Sequence, residues 1–322
     1  MSNNLTKSPI VIIGAGNMAM EYVKVLKSLS QNVVVVGRSQ TSASFFTEKT
    51  GFFVYEGGIS KNKKILVGCK TAIIAVNIDQ LFDVALQLLE LEFKKILIEK
   101  PAALNSEQIH RLEKAAQLYN AKVYVAYNRR FYSSVQTAKQ MIQKDGGVTS
   151  FHFEFTEWSH QIKDLNKPEE VFHQWFLGNS SHVVDLAFFL GGFPKEIQSY
   201  VSGSLPWHPN GSIFAGAGMT EKGALFSYQA NWEAPGRWGV EILTKKHRYI
   251  FRPLEQLHIQ AIGSVSINKV NLNDEKDQLF KPGLYNQTVA FLNNPETSDL
   301  LPIEVHDHVV RTMYRKMVKR KI

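Results

Sequence analysis

The chain has 322 residues, 44% of them hydrophobic and 20% charged, and a formal net charge of +8. That size suggests two domains around a large core, and the composition excludes a disordered or fibrous chain. No stretch of ~18 uncharged apolar residues occurs, so no membrane span is expected. The single cysteine, Cys69, excludes an intrachain disulfide and fits a reducing cytoplasm. The N-terminal MSNNLTKSP has no apolar signal core and runs straight into a strand. The densest basic run, Arg315 to Lys321, reads as a solvated last helical turn whose cations suit the helix dipole. No nucleic-acid-binding motif accompanies it, so the positive charge points to an anionic small molecule, not to nucleic acid.

The first strand is IVII, residues 10–13, followed by GAGNMA and a helical pattern in which Met18, Tyr22, Val23, Val25 and Leu26 recur. Gly14, Gly16 and Ala19 spell G-x-G-x-x-A between that strand and that helix, which is the context a dinucleotide-binding turn requires. Gly14 permits the tight turn. Gly16 lets the backbone approach a pyrophosphate, whose charge suits the helix N-terminus carrying Asn17 and Met18, and Ala19 allows close packing of helix on strand. The second strand, VVVV, ends in Gly37-Arg38-Ser39, where an NAD site usually places an acidic residue for the ribose 2′-hydroxyl. Arg38 and Ser39 suit a 2′-phosphate instead, so NADP(H) is favoured over NAD(H).

Further apolar strands follow at 71–76, 95–100 and 122–128, separated by helical stretches. Continuously apolar strands alternating with helices predict an α/β fold, with an N-terminal Rossmann doubly wound parallel sheet over residues 1–126. Ligands of such sheets lie at the carboxyl ends of the strands. Val76 and Asn77, Glu99-Lys100-Pro101, and Asn128 all fall on that edge, as the glycine turn does.

From residue 149 the period changes to two: Phe151, Phe153 and Phe155 alternate with His152, Glu154 and Thr156. Six more strand-like segments follow. Residues 127–322 therefore read as an α+β domain for substrate binding and oligomerisation, with a large, mostly antiparallel open sheet. Within it, residues 179–192 predict a helix capped by Asn179, Ser180 or Ser181 and stopped by Gly191-Gly192. His182 then falls in the first turn, where the dipole favours a neutral imidazole suited to a general base. Asp185 sits one turn on, placed to orient the ring or to cap. Arg129, Arg130, His173, Trp175, Trp232, Arg237 and Trp238 are candidate substrate contacts, the tryptophans offering flat faces to a sugar ring; core or surface roles remain open for each. No zinc-ligand spacing is present, so no metal is expected.

The G-x-G-x-x-A turn, the Glu99-Lys100-Pro101 strand end about 85 residues later and the downstream SHVVDL helix resemble the glucose–fructose oxidoreductase, inositol dehydrogenase and rhizopine-catabolism family. The resemblance covers nearly the whole chain. It implies an NAD(P)-dependent oxidoreductase acting on sugars, cyclitols or nucleotide sugars. Lys100 would lie beside the nicotinamide and the substrate hydroxyl, Pro101 would sit in a cis peptide, Glu99 would orient its neighbours, and His182 would serve as acid/base. It also implies a homodimer or homotetramer formed through the second sheet. The family pattern places an Asp four residues before the His; here that position is Gly178, with Asn179 three before. What replaces the carboxylate is open, and Asn179 is the first candidate. Two other readings stay open beside hydride transfer: transient oxidation by bound cofactor that drives elimination or hydrolysis, and a non-catalytic NADP-binding regulator.

Overall fold

A computed structural model describes residues 8–319. The chain divides into two compact units, one running to Ala126 with Leu284–Asp307 added, the other comprising Tyr127–Gly283 and the segment from His308. Among the described residues no helix is long and apolar enough to cross a membrane.

The first unit is a parallel sheet of β1 (Ile10–Ile13), β2 (Val33–Val36), β3 (Val54–Tyr55), β4 (Thr71–Ile74), β5 (Lys95–Glu99) and β6 (Lys122–Ala126), in the order β6-β5-β4-β1-β2-β3. Its middle strands are buried on both faces, which is why they read as unbroken apolar runs. Helix Asn17–Ser28 buries Ala19, Tyr22, Val23, Val25 and Leu26. Each large apolar side chain so buried contributes roughly 1.5–3 kcal/mol.

Leu284–Asp307 falls within the span expected for the second domain, but it packs in the first unit. Helix Leu284–Asn293 lies against Asn17–Ser28, and the short strand Leu301–Pro302 pairs antiparallel with β6. Gln287 in that helix is fully buried and meets the Tyr22 hydroxyl at 3.3 Å.

The second unit is built on β7 (Ser150–Glu154), β8 (Pro194–Ser202), β9 (Ile213–Thr220), β10 (Leu225–Asn231), β11 (Gly239–Leu243), β12 (His247–Phe251), β13 (His258–Ala261) and β14 (Asn268–Lys269). The order is β14-β13-β12-β11-β7-β10-β9-β8; β7 and β10 are parallel and the remaining pairs antiparallel. Register places Phe151 opposite Ile242 and Phe226, and Phe153 opposite Val240 and Tyr228, so one face is a continuous aromatic and aliphatic layer. Helix Ser181–Gly191 covers it. Phe188 meets Phe151, Phe153 and Phe226 edge to face, with ring centroids 5.5, 5.5 and 5.0 Å apart. The opposite face is polar around β7 and β11–β12, where Glu154 pairs with Arg252 at 2.8 Å and Glu241 with Arg248 at 2.7 Å. Packing therefore fixes which face of helix Ser181–Gly191 points at the sheet, and with it the direction of His182.

Candidate functional site

The first unit gathers its candidate residues at the carboxyl ends of β1, β2, β4 and β5. Gly14 has φ +124, and a Cβ there would lie 2.2 Å from the Ala75 carbonyl oxygen, so the turn after β1 reaches the end of β4 only with glycine. Gly16 is different: a Cβ there would meet no atom within 4 Å. It precedes helix Asn17–Ser28, which has no side-chain cap and no acidic residue in its first turn. Uncapped N–H groups, a positive dipole end and open space above the backbone together fit a pyrophosphate. After β2, Gly37 is packed against Val54 and Ala15, whereas Arg38 and Ser39 are exposed. Ser39 caps helix Gln40–Thr50, accepting from the Ser42 N–H at 3.4 Å. Val76 and Asn77 follow β4, Asn77 in extended backbone leading into a short 3-10 turn.

The turn after β5 is held from two sides. The Lys100–Pro101 peptide is cis. The Ala102 N–H closes the turn on the Glu99 carbonyl at 3.0 Å. Tyr22, buried in the first helix, donates its hydroxyl proton to Glu99 Oε1 at 2.7 Å. Burial, then the Glu99 carboxylate, raise the Tyr22 hydroxyl well above its ordinary pKa, so it stays a donor. On the other side His306, fully buried, donates from Nε2 to the Pro101 carbonyl at 3.0 Å. Its neighbour Asp307 accepts from His110 Nδ1, also at 3.0 Å. Neither clamp was visible in the sequence, since both partners come from elements remote in the chain.

In the second unit, His182 is not at a free helix end. A π-helical turn, Phe176–Ser180, runs directly into helix Ser181–Gly191. The residues that read as caps are engaged elsewhere: Ser181 Oγ donates to the Leu177 carbonyl at 2.7 Å, and Asn179 and Ser180 both reach Glu157. The dipole argument for a neutral His182 therefore loses its basis. The imidazole is 8% exposed and lies between aromatic rings, its centroid 5.9 Å from Tyr127 and 6.1 Å from Trp238. Asp185, one turn on, is held by Arg130 in a bidentate pair, Nε to Oδ2 at 2.8 Å and Nη2 to Oδ1 at 2.6 Å, both side chains buried. Asn128 Nδ2 donates to the Pro282 carbonyl at 2.9 Å.

The carboxylate beside Asn179 is Glu157, just beyond β7. Asn179 Nδ2 donates to both its oxygens, at 3.0 and 3.1 Å, and Ser180 Oγ donates to Oε1 at 2.7 Å. Glu157 is 2% exposed. Burial pushes its carboxyl up to about 6, against the opposite pull of Ser180, Arg237, Asn179 and Trp175. A carboxyl raised in the folded state favours folding most when protonated, so this contribution is full below about 4.5 and is lost as pH rises through 6. The loss is roughly 2 kcal/mol. Glu157→Gln removes the titration. The stability of that variant relative to the parent should therefore rise by roughly 2 kcal/mol between pH 4.5 and 7, as urea unfolding at the two pH values would read. A constant difference would contradict the assignment.

Among the remaining sequence candidates, Trp175 stacks on Phe172 at 6.0 Å and meets Trp207 edge to face at 5.8 Å. Trp232 is core: 1% exposed, stacked on Trp207 and donating from Nε1 to the Phe155 carbonyl. His173 pairs with Glu169 at 3.5 Å. Arg129 and Arg237 both lie over the Trp238 ring, at 4.8 and 4.6 Å from its centroid. Arg320 and Lys321 of the basic run lie outside the described residues.

Residues 9–127 match the family model described as "Oxidoreductase family, NAD-binding Rossmann fold". No curated protein matches the chain by sequence. Among solved structures the chain is similar to UDP-N-acetylglucosamine 3-dehydrogenase GnnA from Acidithiobacillus ferrooxidans, at 16% identity over 97% of both chains with a TM-score of 0.75. It is similar also to an NAD binding oxidoreductase from Klebsiella pneumoniae, at 16% identity over 98% of both chains with a TM-score of 0.75. A third is levoglucosan dehydrogenase in complex with NADH and L-sorbose, at 18% identity over 97% of both chains with a TM-score of 0.73. At these identities the likeness is one of fold.

Proposed function

We propose that this chain, whose N-terminal unit belongs to the glucose–fructose oxidoreductase, inositol dehydrogenase and MocA oxidoreductase family, transfers a hydride between a nicotinamide dinucleotide and a hydroxyl or carbonyl carbon of a sugar, cyclitol or nucleotide sugar. The observation that carries this reading is the Glu99-Lys100-Pro101 turn. It is clamped by Tyr22 and His306 at the carboxyl edge of a sheet whose first turn fits a pyrophosphate. The names of the sugar dehydrogenases that share the fold support the substrate class.

When bound, NADP(H) supplies the hydride acceptor or donor. Gly14, Gly16, Asn17 and Met18 hold the pyrophosphate, and Arg38 with Ser39 takes the 2′-phosphate. Val76, Asn77, Glu99, Pro101 and Asn128 frame the remainder. His182 takes the hydroxyl proton as the hydride leaves its carbon, and returns it in carbonyl reduction. The Lys100 ammonium polarises the same oxygen and relays the proton. Arg129, Asn179 and Trp175 contact the substrate, and Asp185 acts through Arg130.

A panel of sugars, cyclitols and nucleotide sugars, offered with NADP+ and with NAD+, tests the reading. Reduced nicotinamide should accumulate with at least one member. A protein that binds nicotinamide nucleotides but reduces none with any member sinks it.

The exposed Arg38, with no carboxylate in the Gly37-Arg38-Ser39 segment, favours NADP(H). Arg38→Gln should weaken NADPH binding by at least about tenfold, the scale of one charge-assisted phosphate contact, and leave NADH within about threefold, as calorimetry would show. Equal effects on both cofactors would argue against the preference. We propose also that a second copy of the chain covers the outward face of β8–β10, where Tyr200, Ile213 and Leu225 are exposed. A monomer in sedimentation would exclude that assembly.

A further inference from the structure

Two arginines of the second unit are taken up by carboxylates. Arg130 forms its bidentate pair with Asp185, and Arg252 reaches Glu154 at 2.8 Å. Arg129 has no such pair, and Arg237 has only a long one. Both guanidiniums lie over the Trp238 ring, and Arg237 lies also over Trp158, 4.6 Å from its centroid. The nearest carboxylate to Arg237 is Glu157, at 3.5 Å, long for a charge-assisted hydrogen bond. Glu157 is already served by Asn179 and Ser180. Among the described residues Arg129 has no carboxylate at salt-bridge distance, and Glu255 and Glu157 act on its charge from further off.

Two buried donors beside these guanidiniums also lack an acceptor among the described residues: Arg129 Nε and the indole Nε1 of Trp238, a side chain only 6% exposed. Leaving buried donors unmet costs stability. Such a cost is tolerated where a ligand supplies the acceptor. The wall that Arg129, Arg237 and Trp238 present is made of donors alone, carries two positive charges, and offers the planar forks that match carboxylate and phosphate oxygens. Its tryptophan is the ring next to His182, at 6.1 Å.

From this geometry we infer that the substrate carries an anionic group, a carboxylate or a phosphate, received by Arg129, Arg237 and the Trp238 N–H beside His182. The inference rests on the proposed reading of the His182 site and specifies its substrate class. It also gives the protein's net charge of +8 a local counterpart.

Calorimetry on the full chain, with and without NADPH, using D-glucuronate, D-glucose 6-phosphate and D-glucose as probes, tests it. The anionic probe that fits should bind at least about tenfold more tightly than glucose, and the preference should shrink as salt rises. Glucuronate against the phosphate ester distinguishes the two sources of negative charge. Arg237→Gln and Arg129→Gln should each bring the preference to within about threefold of unity. Arg237 is the safer variant for folding, its side chain being 44% exposed. Equal affinities for all three probes, no binding of either anion, or a preference that survives both substitutions overturns the inference. None of these outcomes touches hydride transfer. Failure of NAD(H) and NADP(H) to bind would overturn the oxidoreductase reading, while the anion preference is still read on the protein alone.

Discussion

Replacing Lys100 with Met is expected to lower kcat/KM by about 10²- to 10⁴-fold, the range for losing one positioned proton-transfer group. The loss should fall on kcat, because the ammonium is proposed to act on an oxygen whose charge changes as the hydride moves, and such an interaction is strongest in the transition state. The side chain is only partly buried, so the substitution should leave the melting temperature near that of the parent. The peptide that carries Lys100 is fixed by groups that remain in the variant: Tyr22 on Glu99, the Ala102 N–H on the Glu99 carbonyl, and His306 on the Pro101 carbonyl. A variant that melts like the parent and turns over like the parent would remove Lys100 from the chemistry.

The largest effect on stability should come from Asp185→Ala. The change strands the Arg130 guanidinium in a site where both partners are buried, at 7% and 5% exposure. Breaking one partner of a buried pair costs about 3–5 kcal/mol, chiefly for the charge left behind. For a chain of this size that lowers the melting point by several degrees or more. Replacing both partners with apolar residues of similar volume, Arg130→Met with Asp185→Leu, should recover much of the loss, since no stranded charge remains. Equal destabilisation of the single and double variants would mean that the pair is worth more than its packing, and the argument from charge would be wrong.

These two sites differ in how far the sequence announced them. The glycine turn and the strand ends of the first unit were legible because their signals are local. An unbroken apolar run of four β-branched residues between helical stretches reads as a strand covered on both faces, and G-x-G-x-x-A between strand and helix leaves few other readings. The alternation Phe151, Phe153, Phe155 likewise gave the inner face of the second sheet directly. Leu284–Asp307 was not assignable. Its helical periodicity shows an apolar stripe but not which core receives it, and the answer lies in Tyr22 and in β6, far away in the chain.

The start of the His182 helix departs from its sequence pattern for a related reason. Asn179, Ser180 and Ser181 are good caps by type, yet a cap is defined by where its oxygen goes. Two of the three reach Glu157, which lies more than twenty residues upstream, and the third bonds back to Leu177 within the continuing helix. The carboxylate that Asn179 meets is Glu157, from just beyond β7. Arg237 and Trp238 could be named as candidates from residue type alone. Their unmet donors could be found only once the tertiary fold had set which arginines already had carboxylates.

Net hydride transfer can be read in one turnover. With stoichiometric NADP+ and the sugar that the panel identifies, one equivalent of NADPH should form for each equivalent of sugar consumed, with the product oxidised at one carbon. Complete conversion of the sugar with no NADPH formed would contradict it, because the cofactor would then have returned its hydride within the cycle.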